Sequence, residues 1–214
     1  MLADLMALGG VVALGVWCLL YDERRYQGFE RAAHRMGMRF HREYPDGLEP
    51  GVDVRWEAGP PHLTLAAPLR VGFAGSLMVV NGRLGRREVT SAEYHYGPRR
   101  GSGHDRRAFA TRIGSVPTAF RVVPANVLNQ PLGGSPTTAL GEGFDRNYLL
   151  DGISDKAFMV RYPKLGPWFA EHAQWDTCFV DTWLIASVPV FLDPDLLAPY
   201  LHRFGQLADA AEAS

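Results

Sequence analysis

The segment Pro98 to Arg107 reads PRRGSGHDRR and places Ser102, His104 and Asp105 within four residues, between two pairs of arginines. Those three residue types are the nucleophile, base and orienting acid of acyl-transfer chemistry. In working triads they converge from separate elements, because neighbours on one short tip cannot hold the required geometry. The chain also lacks a G-x-S-x-G nucleophile elbow. The segment therefore yields no catalytic residue. Its arginines offer different chemistry, since guanidinium groups bind phosphate and anionic headgroups through charge-assisted hydrogen bonds. Arg99, Arg100, Arg106 and Arg107 are candidate lipid- or anion-binding residues, and a solvated hairpin tip is the plainer alternative.

Other constellations are thinner. His95 and His104 flank the same tip and could face each other, but no third metal ligand accompanies them, and His62, His172 and His202 are isolated. No metal and no cofactor is expected. Gly133-Gly134 and Gly141 to Gly143 are too short to cradle a phosphate, and no G-x-x-x-x-G-K-[ST] run exists. Trp168, Trp175 and Trp183 are expected in the core rather than as a stacking platform. Glu142 and Asp145 form an acidic pair that solvation of a strand edge explains equally well. Cys18 and Cys178 are the two cysteines, in neither a C-x-x-C nor a ligand spacing. The formal net charge is −1, so no global field draws in nucleic acid, and no nucleic-acid partner is expected.

The elements that must position these residues begin with an uncharged run, Leu5 to Tyr21 (LMALGGVVALGVWCLLY). As a helix it rises about 1.5 Å per residue and reaches about 25 Å, slightly under a bilayer core of about 30 Å. Trp17 and Tyr21 fall where interfacial rings are favoured. No basic residue precedes it and Asp4 does, which argues against a cleaved signal peptide. Residues 1–22 are read as a single-pass transmembrane anchor. Arg24, Arg25, Arg31, Arg35, Arg39 and Arg42 follow the run, so the positive-inside rule puts the N-terminus outside and the globular part in the cytoplasm, on the cytoplasmic membrane.

Residues 23–37 read as a membrane-proximal amphipathic helix. Tyr26, Phe29, Ala33 and Met36 recur at helical spacing, Gly37 marks a stop, and Arg24, Arg25, Arg31 and Arg35 occupy much of the remaining surface. Such a helix either lies against anionic headgroups or docks on the domain's own core; Asp22, Glu23 and Glu30 dilute its charge and favour the core.

Residues 38–214 form the globular part. Ser76 to Asn81, Arg86 to Tyr96, Arg107 to Ile113 and Ala119 to Val123 are rich in β-branched and aromatic residues and read as strands, with Asn81-Gly82 as a tight turn. Leu132 to Gly143 reads as a connection and Phe144 to Leu150 as a strand. Asp155 to Val160 and Lys164 to Gln174 read as helices, and Thr177 to Val180 with Thr182 to Val188 as a hairpin. Asp193 caps a closing helix that runs through Ala211, with Pro194 at its first position. Strands with short turns followed by helices give an α+β fold with a mainly antiparallel sheet and C-terminal helices.

The run GEGFDRNYLLDGISDKAFMVRYPKLGPWFAEH, residues 141–172, resembles a bacterial family of unknown function with membrane-anchored members. Phe144, Asp145, Arg146, Tyr148, Leu150, Asp155 and Leu165 carry the resemblance, and NGRLGRREVTSAEYHY is similar to that family's strand pair. The resemblance spans residues 81–207 and implies architecture and tethering, without a reaction. The expected function is a membrane-tethered cytoplasmic interaction domain that binds a protein partner or anionic lipid headgroups. The alternative is a membrane-associated hydrolase whose site is scattered in sequence. Oligomeric state is left open.

Overall fold

The computed structural model describes residues 20–43, 77–96, 104–114, 116, 119–125, 135–136, 140–145, 147–188 and 193–213. The apolar run up to residue 19, Arg99, Arg100 and Ser102 lie outside the described residues. A helix over residues 20–35 (α1) opens the described chain. It stops at Gly37, whose φ of +69° suits glycine, and Met38 N–H closes back on the Ala33 carbonyl. The strands β1 (Arg39–Glu43), β2 (Leu77–Leu84), β3 (Arg87–Tyr96) and β4 (His104–Arg112) follow. Then come β5 (Phe120–Pro124), β6 (Ser135–Pro136), α2 (Glu142–Asp145), β7 (Tyr148–Asp151), α3 (Asp155–Arg161) and α4 (Leu165–Glu171). The hairpin β8 (Asp176–Val180) and β9 (Trp183–Val188) leads through a 3₁₀ turn, Pro194–Leu196, to α5 (Leu197–Glu212).

Among the described residues all strands join one antiparallel sheet in the order β1-β2-β3-β4-β9-β8-β5-β7-β6. The expected α+β architecture is what the chain adopts. The late hairpin β8–β9 inserts between β4 and β5, which brings strands distant in sequence side by side. Neighbours in register point to the same face and successive residues alternate, so two faces can be followed across the sheet.

One face carries the main core. Phe29, Ala32 and Ala33 of α1, Phe109 of β4, Phe179 of β8 and Leu201, Phe204 and Leu207 of α5 pack in a single cluster. Phe109 lies against Trp175, Tyr200 and Phe204, while Phe120, Phe144, Phe158, Tyr162 and Phe179 fill the other half with ring-to-ring contacts. Helix α1 is thus docked on the domain's own core. The opposite face is also withdrawn from solvent, at Val79, Ala92, Ala108, Ala110, Ile185 and Cys178, with smaller side chains.

Three local expectations are corrected. Asn81-Gly82 is not a turn but part of β2, because Met38 crosses directly over Gly82, where an added Cβ would meet the Met38 Cγ at 2.8 Å. The turn falls at Gly85-Arg86, between paired Leu84 and Arg87, with Gly85 at φ +62°. Phe144 to Leu150 is not one strand. Gly141 at φ +106° and the Asp145 carboxylate, which accepts from the Leu140 and Gly141 N–H groups, wind the short α2 before β7 begins. Trp183 is half-buried beneath the Arg112 guanidinium rather than in the core. The late hairpin and the Asp193 cap stand where expected, the cap accepting from Asp195 N–H at 2.9 Å and initiating the 3₁₀ turn ahead of α5.

Candidate functional site

Arg106 and Arg107 are consecutive on β4 and therefore enter opposite faces of the sheet. Both are buried, 5% and 0% exposed. The expectation that they share a solvated tip with Arg99 and Arg100 is corrected for these two: β4 starts at His104 and draws them into the protein. Each joins another arginine around one carboxylate, and the two clusters are the strongest concentrations of buried charge among the described residues.

On the core face, Arg107 stands in register with Glu93 of β3. Arg25 of α1 reaches the same carboxylate through two parallel hydrogen bonds, 2.9 and 2.6 Å. Arg25 was a candidate for headgroup binding; it is buried, and its guanidinium clamps α1 to the sheet. Arg107 donates through Nε to Ser91 Oγ at 2.9 Å and through Nη2 to the Met78 carbonyl at 2.7 Å, and stacks 4.3 Å from the Phe29 ring centre. Its Nη1 lies 3.9 Å from Glu93. Burial pushes the Arg107 guanidinium down to about 9, with Glu93 opposing the shift and Arg25 adding to it.

On the opposite face, Arg121 of β5 grips Asp176 of β8 by a bidentate pair, Nε to Oδ1 at 2.7 Å and Nη2 to Oδ2. Arg106 reaches over β9, where Ser187 stands in register with both Ala108 and Asp176, and its Nη2 comes within 3.7 Å of Asp176 Oδ2. That is an ion-pair distance without a hydrogen bond. Arg106 Nε and Nη2 are both buried and have no hydrogen-bond partner among the described residues. Although burial lowers it, Asp176 holds Arg121 above its ordinary value. Cys178 lies beside this group, in register with Arg121, and burial raises its thiol to about 12, so it is protonated and inert as a nucleophile.

The remaining candidates disperse. Arg24, Arg31 and Arg35 are exposed along α1, with Arg35 paired to Asp195 at 3.2 Å. The backbone register pairs His95 with Asp105 and Tyr96 with His104, and does not pair the two histidines with each other. Among the described residues no group of three potential metal ligands comes together. His172 stacks on Trp168 with ring centres 4.4 Å apart, and its Nδ1 meets the Trp168 carbonyl at 2.8 Å. The Tyr148 hydroxyl donates to the His172 carbonyl and accepts from Trp175 N–H, a buried tie between β7 and the segment after α4.

Sequence reading missed Glu93, Arg121 and Asp176. Glu93 was accessible in principle, as an acidic residue opposite Arg107 once the β3–β4 register is known. Arg121 and Asp176 were not, since they are 55 residues apart and meet only through the inserted hairpin.

No protein-family model and no curated protein matches the chain. A solved structure does share its fold. It is the mycobacterial trehalose monomycolate transport factor A, TtfA, which superposes with a TM-score of 0.55 at 13% identity, over 86% of this chain and 93% of that one. At that identity the likeness establishes a common architecture.

Proposed function

We propose that this chain is an interaction domain tethered to the cytoplasmic face of the membrane by residues 1–22, and that it binds a protein partner or anionic lipid headgroups. The observation that carries this reading is the start of α1. The helix is built into the core through Arg25, Phe29 and Ala33, yet its first residues, Leu20 and Tyr21, are 55% and 46% exposed. They directly continue the uncharged run of residues 5–19. Exposed Leu and Tyr at the mouth of an apolar segment suit the interface of a bilayer. The arginines that remain outside, Arg24, Arg31 and Arg35, sit on that same helix, where each contributes about 1 kcal/mol near an anionic surface. With α1 clamped to the sheet, the domain would stand close against the membrane without a flexible spacer. No described helix is long and apolar enough to cross a membrane, so the tether rests on residues 1–22 as a sequence. Support for a role in assembly or transport rather than catalysis comes from the fold it shares with a protein named as a transport factor.

Fractionation of cells that express the full chain and a variant lacking residues 1–22 tests the tether. The full chain is expected in membranes and the truncated chain in the soluble fraction; retention of the truncated chain would overturn anchoring by that segment. Reversing the charges of Arg24, Arg31, Arg99 and Arg100 is expected to abolish binding of the truncated domain to phosphatidylserine vesicles, and unchanged binding would dispose of these arginines as the headgroup site.

A further inference from the structure

We infer that the Nε–Nη2 edge of Arg106, beside Arg121 and Asp176, is a binding site for an oxyanion, a phosphate group held inside the second face of the sheet. The same edge of the neighbouring Arg121 shows what it is built to hold, for it grips both oxygens of Asp176. Arg106 presents an identical fork, 6% exposed, whose two nitrogens have no hydrogen-bond acceptor among the described residues. Asp176 cannot serve it. Both carboxylate oxygens point into the Arg121 fork, and the nearer one stays 3.7 Å from Arg106 Nη2. Buried guanidinium donors are almost always satisfied, so this pair calls for an acceptor from outside the described chain.

The surroundings fit an anion. Arg106 and Arg121 share one carboxylate within ion-pair distance, and Asp151 lies in register with Arg121 on the far side from Arg106. Ala108 and Ser187, both small, stand in the row that leads from β4 to Asp176. The Cys178 thiol is protonated and adds no competing negative charge. The inference stands apart from the tether, since none of these residues belongs to α1 or the segment before it.

Phosphate has two sources, free in solution or as a lipid headgroup, and the test separates them. The full chain, purified in a neutral detergent, is titrated with inorganic phosphate and separately with dihexanoyl phosphatidic acid, following the melting temperature and the dissociation constant. Saturable stabilisation by at least one probe is expected, stronger with phosphatidic acid if the group arrives on a lipid. Arg106→Met is expected to weaken that binding by about tenfold or more, the size of losing hydrogen bonds to a charged group. Arg106→Lys keeps the charge without the fork and should fall between. Arg107→Met, in the other cluster, should bind as the wild type does. Arg106→Met should melt no lower than the wild type when phosphate is absent. A wild type that neither probe stabilises, as when a water completes the fork, would overturn the inference. So would equal affinity in Arg106→Met and wild type, or, should that variant not fold, in Arg106→Lys and wild type.

Discussion

The two faces of the sheet hold clusters of the same composition, two arginines and one carboxylate, but they are completed to different degrees. Around Glu93, Arg25 contributes a bidentate pair, and Arg107 places Nε and Nη2 on Ser91 Oγ and the Met78 carbonyl. Around Asp176, Arg121 takes both oxygens and Arg106 keeps two buried nitrogens without an acceptor. Both clusters pay a desolvation penalty that Coulomb attraction alone offsets poorly. Both recover part of it with hydrogen bonds supplied by the chain, but the first leaves a single guanidinium nitrogen, Arg107 Nη1, without an acceptor among the described residues, and the second leaves Nε and Nη2 of Arg106. A closed cluster of this kind fixes one element on another, here α1 on the sheet, whereas an open one leaves recognition capacity inside the protein.

The largest expected effect tests the closed cluster. Glu93→Gln leaves Arg25 and Arg107 buried without a carboxylate and should destabilise by about 3–5 kcal/mol in urea unfolding. A loss below about 1 kcal/mol would mean that water reaches both guanidiniums. Asp176→Asn should cost a similar amount, again about 3–5 kcal/mol, but phosphate should restore part of it because two buried guanidinium groups would then stand beside an uncharged amide and lack an anion. Glu93→Gln should show no such recovery, and equal behaviour of the two variants would erase the distinction between the faces.

Smaller effects sharpen the comparison. Arg107→Met strands Ser91 and the Met78 carbonyl and should cost about 1–3 kcal/mol, whereas Arg106→Met removes a charge with no hydrogen bonds and should change stability by less than about 0.5 kcal/mol. Reversal of that order would show that the Arg106 fork is satisfied after all. A further small effect lies at the rim, where Arg87 hydrogen-bonds Glu212 and Asp209. The hydrogen bond from Arg87 holds the Glu212 carboxyl below its ordinary value despite partial burial. A depressed carboxylate contributes stability that is present above its unfolded value and lost as pH falls through the folded one. Glu212→Gln should therefore lower stability at pH 7 by less than about 1 kcal/mol, as expected for an exposed pair, and the difference from wild type should vanish in acid.

Much of the fold was legible because it is written in local signals. Alternating β-branched runs located β3, β4 and β9, Asp193 capped the turn that follows it, and Gly37 ended α1. Where reading failed, a distant contact had overruled a local preference. Asn81-Gly82 has turn chemistry, yet Met38 lies across Gly82 and keeps the strand going for another turn's length. The candidate site was less legible still. The arginines at 106 and 107 drew notice as a basic pair on a tip, but their two destinations depend on strand parity and on what lies beneath each face.

By itself the sequence determined the apolar segment with its arginine flank, the composition of an α+β domain, and most of the stretches that become strands and helices, because hydrophobic periodicity and capping act over a few residues. The tertiary structure alone decided that the β8–β9 hairpin inserts between β4 and β5 and so delivers Asp176 to Arg106 and Arg121. Pairing of distant strands is selected by the summed burial of whole faces, a quantity no short window of residues contains.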